Sequence, residues 1–141
     1  MQIIKLISKK MEEEILFDKW NEQKKFINKA SNQGHFYREK EIWWCNLGKN
    51  IGSEQDGKGD NYERPVMVIK SFNLFVCLII PLTTSKKPNP FHFKIGIVNE
   101  RESYVIISQI RLIDTKRLTN RICIIENKLF GLIRKTIREL F

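Results

Sequence analysis

The chain has 141 residues, 42% of them apolar and 29% charged, which suits one soluble domain able to bury its own core without disulfide staples. Its net charge of +9 favours a polyanionic partner, nucleic acid before an anionic membrane. Its three cysteines, Cys45, Cys77 and Cys123, sit singly in apolar runs, which excludes a disulfide framework and a zinc-ligand spacing and leaves buried reduced thiols.

The N-terminal run Met1 to Ile7 is broken by Lys5 and has no small-residue cleavage site, so it does not read as a signal peptide. No segment reaches the length of a transmembrane helix, and the expected location is the cytoplasm. Lys9 to Ala30 reads as a helix, free of Pro and Gly, with Leu16, Trp20 and Ile27 at helical offsets and Glu12, Glu13 and Glu14 ahead of Lys24, Lys25 and Lys29. Asn32-Gln33-Gly34 reads as its stop.

From Glu41 the period changes to that of strands. Ile42 to Leu47, Pro65 to Lys70, Leu74 to Leu82, Phe91 to Ile97 and Tyr104 to Ile107 are β-branched or aromatic runs bounded by turn residues, with Phe72-Asn73 as a hairpin turn. Their short spacing predicts antiparallel pairing in a twisted sheet or partly closed barrel. Trp43 and Trp44 are adjacent, so on a strand one faces the core and the other a dimer interface or an RNA base. At the C-terminus Leu129, Leu132, Ile133, Thr136, Ile137 and Leu140 form a helical stripe fitted to cover the sheet.

The chemistry is concentrated at strand ends. The polar loop Gly52 to Pro65 carries Glu54, Gln55 and Arg64, and a second cluster runs Pro81-Leu82-Thr83-Thr84-Ser85-Lys86-Lys87. A third, Ser108-Gln109-Ile110-Arg111 through Asp114 to Leu118, reads as a charged helical turn. There is no P-loop, G-x-S-x-G elbow or H-E-x-x-H, and His35 and His92 read as separate surface residues, so no metal or cofactor is expected. Each cluster alone also reads as a solvated loop or turn. In a small β-body their strand ends can converge on one face.

These three clusters, in this order, resemble the MazF/PemK family of toxins of type II toxin–antitoxin modules, over about residues 38 to 140. The resemblance implies an α+β, mainly β fold: a small antiparallel SH3-like (plasmid-toxin-like) barrel at 36–141 with a C-terminal helix, and an N-terminal helical extension at 1–35. It implies a homodimer that cleaves single-stranded RNA sequence-specifically and without a metal, by attack of a ribose 2′-hydroxyl, and that is bound by an acidic antitoxin.

By resemblance Arg64 and Thr83 match the family's catalytic arginine and threonine, and Glu54 an acid of its first motif. Gln55, Thr84, Ser85, Lys86, Ser108, Gln109 and Arg111 are candidate substrate-binding residues, and Lys87, Lys116, Arg117 and Arg121 are candidate phosphate contacts. The chain departs from the pattern where it has Ser108 in place of an acid, Ile106 in place of an arginine, and Lys40 in place of a glycine. With no acid at 108, Glu54 or Asp56 is left to accept the 2′-hydroxyl proton. A non-catalytic nucleic-acid-binding or regulatory module on the same fold is the alternative reading. Lys58 to Glu63 reads as an insertion peculiar to a longer subgroup.

Overall fold

The computed structural model describes residues 1–31 and 36–141. The helix stop expected at Asn32-Gln33-Gly34 and the histidine His35 lie outside the described residues. In chain order the elements are α1 (Gln2–Lys29), β1 (Glu41–Asn46), β2 (Glu63–Ser71), β3 (Val76–Thr83), β4 (His92–Val98), β5 (Arg101–Ile106), β6 (Arg111–Asp114), β7 (Leu118–Ile124) and α2 (Asn127–Arg138). One-turn 3₁₀ segments at Ile107–Gln109 and Thr115–Arg117 join β5 to β6 and β6 to β7.

The strands form one antiparallel seven-stranded sheet in the order β4-β5-β3-β2-β1-β7, with β6 also paired to β3. Strand β3 is the hub. One edge pairs with β2, while the other is shared: Val76 to Ile79 pair with β6, and Leu82 and Thr83 pair with β5. Two partners on one edge split the sheet and curl it into a half-barrel.

Burial on both faces makes the central strands continuously apolar. Along β2, Val66 and Val68 enter one cluster with Trp43, Cys45, Cys77, Ile79, Ile113 and Leu118. Met67 and Ile69 point the other way, to Ile42, Ile80, Leu82 and Val105. Helix α2 covers that second cluster with Phe130 and Ile133. The buried stripe of α2 therefore runs through Phe130, Ile133 and Ile137, whereas Leu132, expected on it, points outward at 48% exposed.

Four further expectations are corrected. The N-terminal helix begins at Gln2 rather than Lys9, because nothing in Met1 to Lys10 breaks it. The polar stretch read as a helical turn does hold one-turn 3₁₀ segments, but strand β6 lies between them and β7 follows the second; charged exposed residues such as Asp114 and Arg121 hide the alternation that marks a strand. His92 is half-buried at the start of β4, not a surface residue. Leu74, read as strand, lies in the β2–β3 turn, where the Asn73 side chain accepts from the N–H groups of Phe75 and Val76 at 2.8 and 3.0 Å. No helix among the described residues is long and apolar enough to cross a membrane.

Candidate active site

Arg64 enters β2 directly after the polar loop and is only 7% exposed. Its guanidinium is fixed by the backbone on both sides: Nε donates to the Asp56 carbonyl at 2.7 Å and Nη1 to the Leu82 carbonyl at 3.0 Å. With its oxygen turned to the guanidinium, the Gln55 amide accepts from Nη2 at 2.7 Å. Burial pulls the Arg64 pKa below its ordinary value, and the Asp56 carboxylate opposes that shift. The group stays charged at any working pH, and its unspent N–H groups remain for a ligand.

The loop holding these acceptors is tightly built. Asp56 accepts from the Asn50 N–H at 2.5 Å and pairs with Lys49 at 3.1 Å, so both its oxygens are engaged. Gln109 reaches across from the 3₁₀ turn, taking the Gln55 N–H at 3.2 Å and donating to the Ser53 carbonyl at 3.0 Å. Lys58 and Glu63 exchange backbone hydrogen bonds at 2.8 and 3.0 Å, closing the segment between them into a small hairpin. Gly57 permits this closure, since a Cβ there would lie 1.7 Å from the Tyr62 carbonyl oxygen.

Register brings Arg64 and Thr83 together. Cys45 pairs with Arg64, Val66 with Pro81, and Thr83 with Tyr104. Continuing the β2–β3 register from Val66 by two residues sets Arg64 across from Thr83. Cross-strand partners share a face, so Arg64, Thr83 and Tyr104 form one row. The Thr83 hydroxyl accepts from the Ser85 N–H at 3.1 Å, which bends the chain away as β3 ends.

Two hollows flank this row. One, of about 390 Å³, is lined by Trp44, Glu63, Arg64, Thr83, Thr84 and Arg101 among others. The second, of about 290 Å³, gathers Asn50, Glu54, Gln55, Ser108, Gln109 and Arg111. The Gln55–Arg64 hydrogen bond lies between them. Glu54 is exposed, and its carboxylate accepts from the Ile51 N–H at 2.9 Å. Ser85 and Lys86 line neither hollow: both are exposed beyond β3, and Lys86 lies 3.6 Å from Glu102.

Residues 38–141 match the family model described as PemK-like, MazF-like toxin of type II toxin–antitoxin system. The chain belongs to the PemK/MazF toxin family. Endoribonuclease EndoA of Bacillus subtilis (strain 168) is 28% identical over 107 residues, covering 70% of this chain and 88% of that protein. Among solved structures, MazF (Form-I) from Deinococcus radiodurans superposes with a TM-score of 0.63 at 18% identity, over 76% of this chain and 97% of that one. The Mycobacterium tuberculosis toxin MazF-mt6 does so with 0.54 at 16% identity, over 70% and 93% of the two chains. At these identities the two structures speak for the fold.

The PemK/MazF match starts at residue 38, leaving α1 outside it, yet α1 grips the neck of the Arg64 loop. Trp20 lies against Gly48, 5.5 Å from the Tyr62 ring, and the Tyr62 hydroxyl donates to the Leu16 carbonyl at 3.0 Å. Gln23 donates to the Asn61 carbonyl at 3.0 Å, and Lys49 lies 5.5 Å from the Phe17 ring. Both ends of the loop are therefore held by one helix.

Three basic residues expected as phosphate contacts have structural partners instead. Arg117 donates to the Asn46 carbonyl at 3.1 Å and lies over Trp20, Arg121 pairs with the buried Glu41 at 2.9 Å, and Lys116 donates to the Asn28 carbonyl at 3.0 Å. Lys87 is exposed. Trp43 is the core member of its pair, and Trp44 lines the larger hollow. Sequence reasoning missed Lys58, Arg101 and Tyr104 beside the site. Only Tyr104 carried a usable signal, as an aromatic on the strand whose register reaches Thr83.

Proposed function

We propose that this protein is the toxin of a toxin–antitoxin pair and an endoribonuclease that cuts single-stranded RNA in the cytoplasm without a metal ion. The observation that carries the reading is a buried, doubly anchored Arg64 that lines the same hollow as Thr83. A guanidinium held in this way is preorganised for the charge that grows on a phosphate under attack.

In the proposed reaction the ribose 2′-oxygen bonds to the adjacent phosphorus and the bond to the 5′-oxygen breaks, leaving a 2′,3′-cyclic phosphate and a 5′-hydroxyl. Arg64 neutralises the phosphate oxygens and the Thr83 hydroxyl orients one of them. Glu54 accepts the 2′-hydroxyl proton; its exposed carboxylate is freer than that of Asp56, which is engaged at both oxygens. The departing 5′-oxygen takes its proton from solvent. Gln55 and Gln109 hold the loop in register, Thr84, Ser108 and Arg111 line the hollows beside the cut, and Ser85 and Lys86 meet the flanking strand.

The barrel, residues 36–141, acts as a homodimer under control of an acidic antitoxin. Solved relatives of this fold include MazE-MazF (Form-II) from Deinococcus radiodurans, with a TM-score of 0.57 at 14% identity over 76% of this chain and 96% of that one. The test is incubation of the purified protein with a long RNA in EDTA, beside Arg64→Ala and Thr83→Ala. Discrete new 5′-hydroxyl ends from the parent, absent from both variants, are expected. Uncut RNA, or variants as active as the parent, would refute the reading.

A further inference from the structure

A third hollow, of about 360 Å³, opens between α1 and the 3₁₀ turn Thr115–Arg117. Lys24 and Lys25 line it from α1, and Lys116 and Arg117 from the turn, against the single carboxylate of Asp114. Two of these four cations therefore belong to a helix that the PemK/MazF match leaves out. Asp114 is turned partly to its own backbone, accepting from the Lys116 N–H at 2.8 Å. The hollow is basic on balance.

Arg117 is held in the manner of Arg64. Its Nη1 donates to the Asn46 and Leu47 carbonyls at 3.1 and 3.4 Å, neutral acceptors that fix the guanidinium and leave its charge uncancelled. Burial lowers its pKa, as at Arg64, and the neighbouring Arg111 pushes the same way. Lys116 gives one N–H to the Asn28 carbonyl and keeps two donors. Arg121 differs, because the Glu41 carboxylate neutralises it. Lys25 meets only the exposed Glu22, a pair worth little in water, and Lys24 has no partner among the described residues. The structure thus gathers positioned cations without supplying their counter-charge.

Its place relative to the Arg64 loop selects the occupant. The Leu47 carbonyl that accepts from Arg117 also accepts from Asn50 at 3.1 Å, and Asn50 lines the second hollow together with Arg111. Along β6, Arg111 and Asp114 are about 10 Å apart at ~3.3 Å per residue, the reach of roughly three stacked nucleotides. We propose that the third hollow binds a phosphodiester of the single-stranded RNA a few nucleotides from the cut, which makes α1 part of the substrate-binding surface. The proposal rests on RNA being the substrate, not on its cleavage. Trp20 does not stack on a base there, being 5% exposed and lying under Arg117. The contact is to phosphate, so it adds affinity and register without choosing sequence.

The test is binding of a mixed-sequence 2′-O-methyl RNA of about 20 nucleotides, longer than the ~4–16 that one single-strand site spans, read by fluorescence anisotropy across a salt series. The methyl groups block attack by the 2′-oxygen, so the strand stays whole. Lys24→Gln/Lys25→Gln, at two exposed sites, should weaken binding to all sequences alike and flatten the slope of log K against log salt by about 1.4, at ~0.7 per phosphate contact. Lys116→Gln should flatten it by about 0.7. Lys9→Gln/Lys10→Gln removes the same charge from the same helix away from the hollow and should leave the parental slope. A parental slope in Lys24→Gln/Lys25→Gln would overturn the proposal. Equal losses in the two double variants would overturn it in favour of a diffuse basic field. Poly-glutamate binding that depends on Lys24 and Lys25, beside RNA binding that does not, would overturn it in favour of an acidic polypeptide. Because the strand cannot be cut, failure here and failure of the ribonuclease reading are distinguishable.

Discussion

Trp20 and Gly48 meet so closely that a Cβ at position 48 would lie 2.2 Å from the indole ring. Gly48 also has φ +88°, a conformation that costs an L-residue about 1–2 kcal/mol. The N–H of Gly48 donates to the Tyr62 carbonyl at 3.1 Å, and its own carbonyl accepts from Gly57 at 2.8 Å. Helix, loop neck and strand entry are thus a single packed unit. Gly48→Ala and Trp20→Ala should both undock α1, the latter at a cost of about 3 kcal/mol or more. Hydrogen exchange should rise across residues 48–62 in both variants while β3 stays protected. Unchanged exchange in the loop would mean that α1 only rests on it.

Arg64→Lys isolates geometry from charge. A lysine keeps the positive charge but cannot serve the Asp56 and Leu82 carbonyls together with Gln55. The carbonyls left unpaired should cost about 1–3 kcal/mol of stability. The lost transition-state donor should slow RNA cleavage by roughly a hundred- to thousandfold. Thermal melts and single-turnover cleavage read the two effects separately; a lysine variant of near-parental rate would reduce Arg64 to a point charge.

Glu54 and Asp56 should separate by cleavage rate against stability. Glu54→Gln removes the proposed base and should lower the cleavage rate by about 10²–10⁴-fold. Asp56→Asn breaks the Lys49 pair and alters the bond from Asn50, so its main effect should be a loss of about 1 kcal/mol in stability, with cleavage slowed far less than in Glu54→Gln. A Glu54→Gln enzyme with the parental rate would remove Glu54 from the mechanism.

Lys40 stands where the resemblance expects glycine, and its backbone shows why glycine suits the position: φ is +76°. Its N–H donates to the Val68 carbonyl at 3.0 Å and its carbonyl accepts from Ile125 at 3.1 Å, so the strained residue ties β2 to the segment entering α2. The side chain recovers part of the strain by donating to Asn127 at 2.5 Å. Lys40→Gly should therefore raise stability by at most about 1 kcal/mol, the relief of left-handed strain less the lost hydrogen bond. A denaturation midpoint that fell instead would show the Asn127 contact to be the larger effect.

The central strands were legible because burial on both faces leaves an unbroken apolar run, as in Val66 to Ile69. The third motif was not: β6 pairs with β3 through Leu112 and Arg111, whose exposure gives a polar, irregular pattern indistinguishable from a turn. Arg64 and Thr83 could be named from motif order, but their alignment depends on β2–β3 register, which neither segment states alone. The structural duties of Arg117 and Arg121 were invisible for the same reason. A basic residue shows its charge in sequence but not the carbonyl or buried Glu41 across the sheet that uses it. Likewise, nothing in Lys58 to Glu63 announces the hairpin they form, because it is closed by backbone hydrogen bonds.

Cys45 and Cys77 are fully buried, and burial pushes both thiols up to about 12. Arg117 and Arg111 pull the Cys45 thiol down against that burial. In the unfolded chain a thiol titrates near 8.5. The folded state therefore holds its proton more tightly, so this contribution is complete below about pH 8.5 and falls as pH rises towards 12. Each group should lower stability by about 1.4 kcal/mol per pH unit across that window. Two measurements check this: native protein at pH 8 should show no reaction of Cys45 or Cys77 with a disulfide reagent, and Cys77→Ala should flatten the alkaline limb of a urea-denaturation series. Rapid native labelling of Cys77 would mean that the β2–β3–β6 junction opens locally, because the thiolate cannot form while that junction is closed.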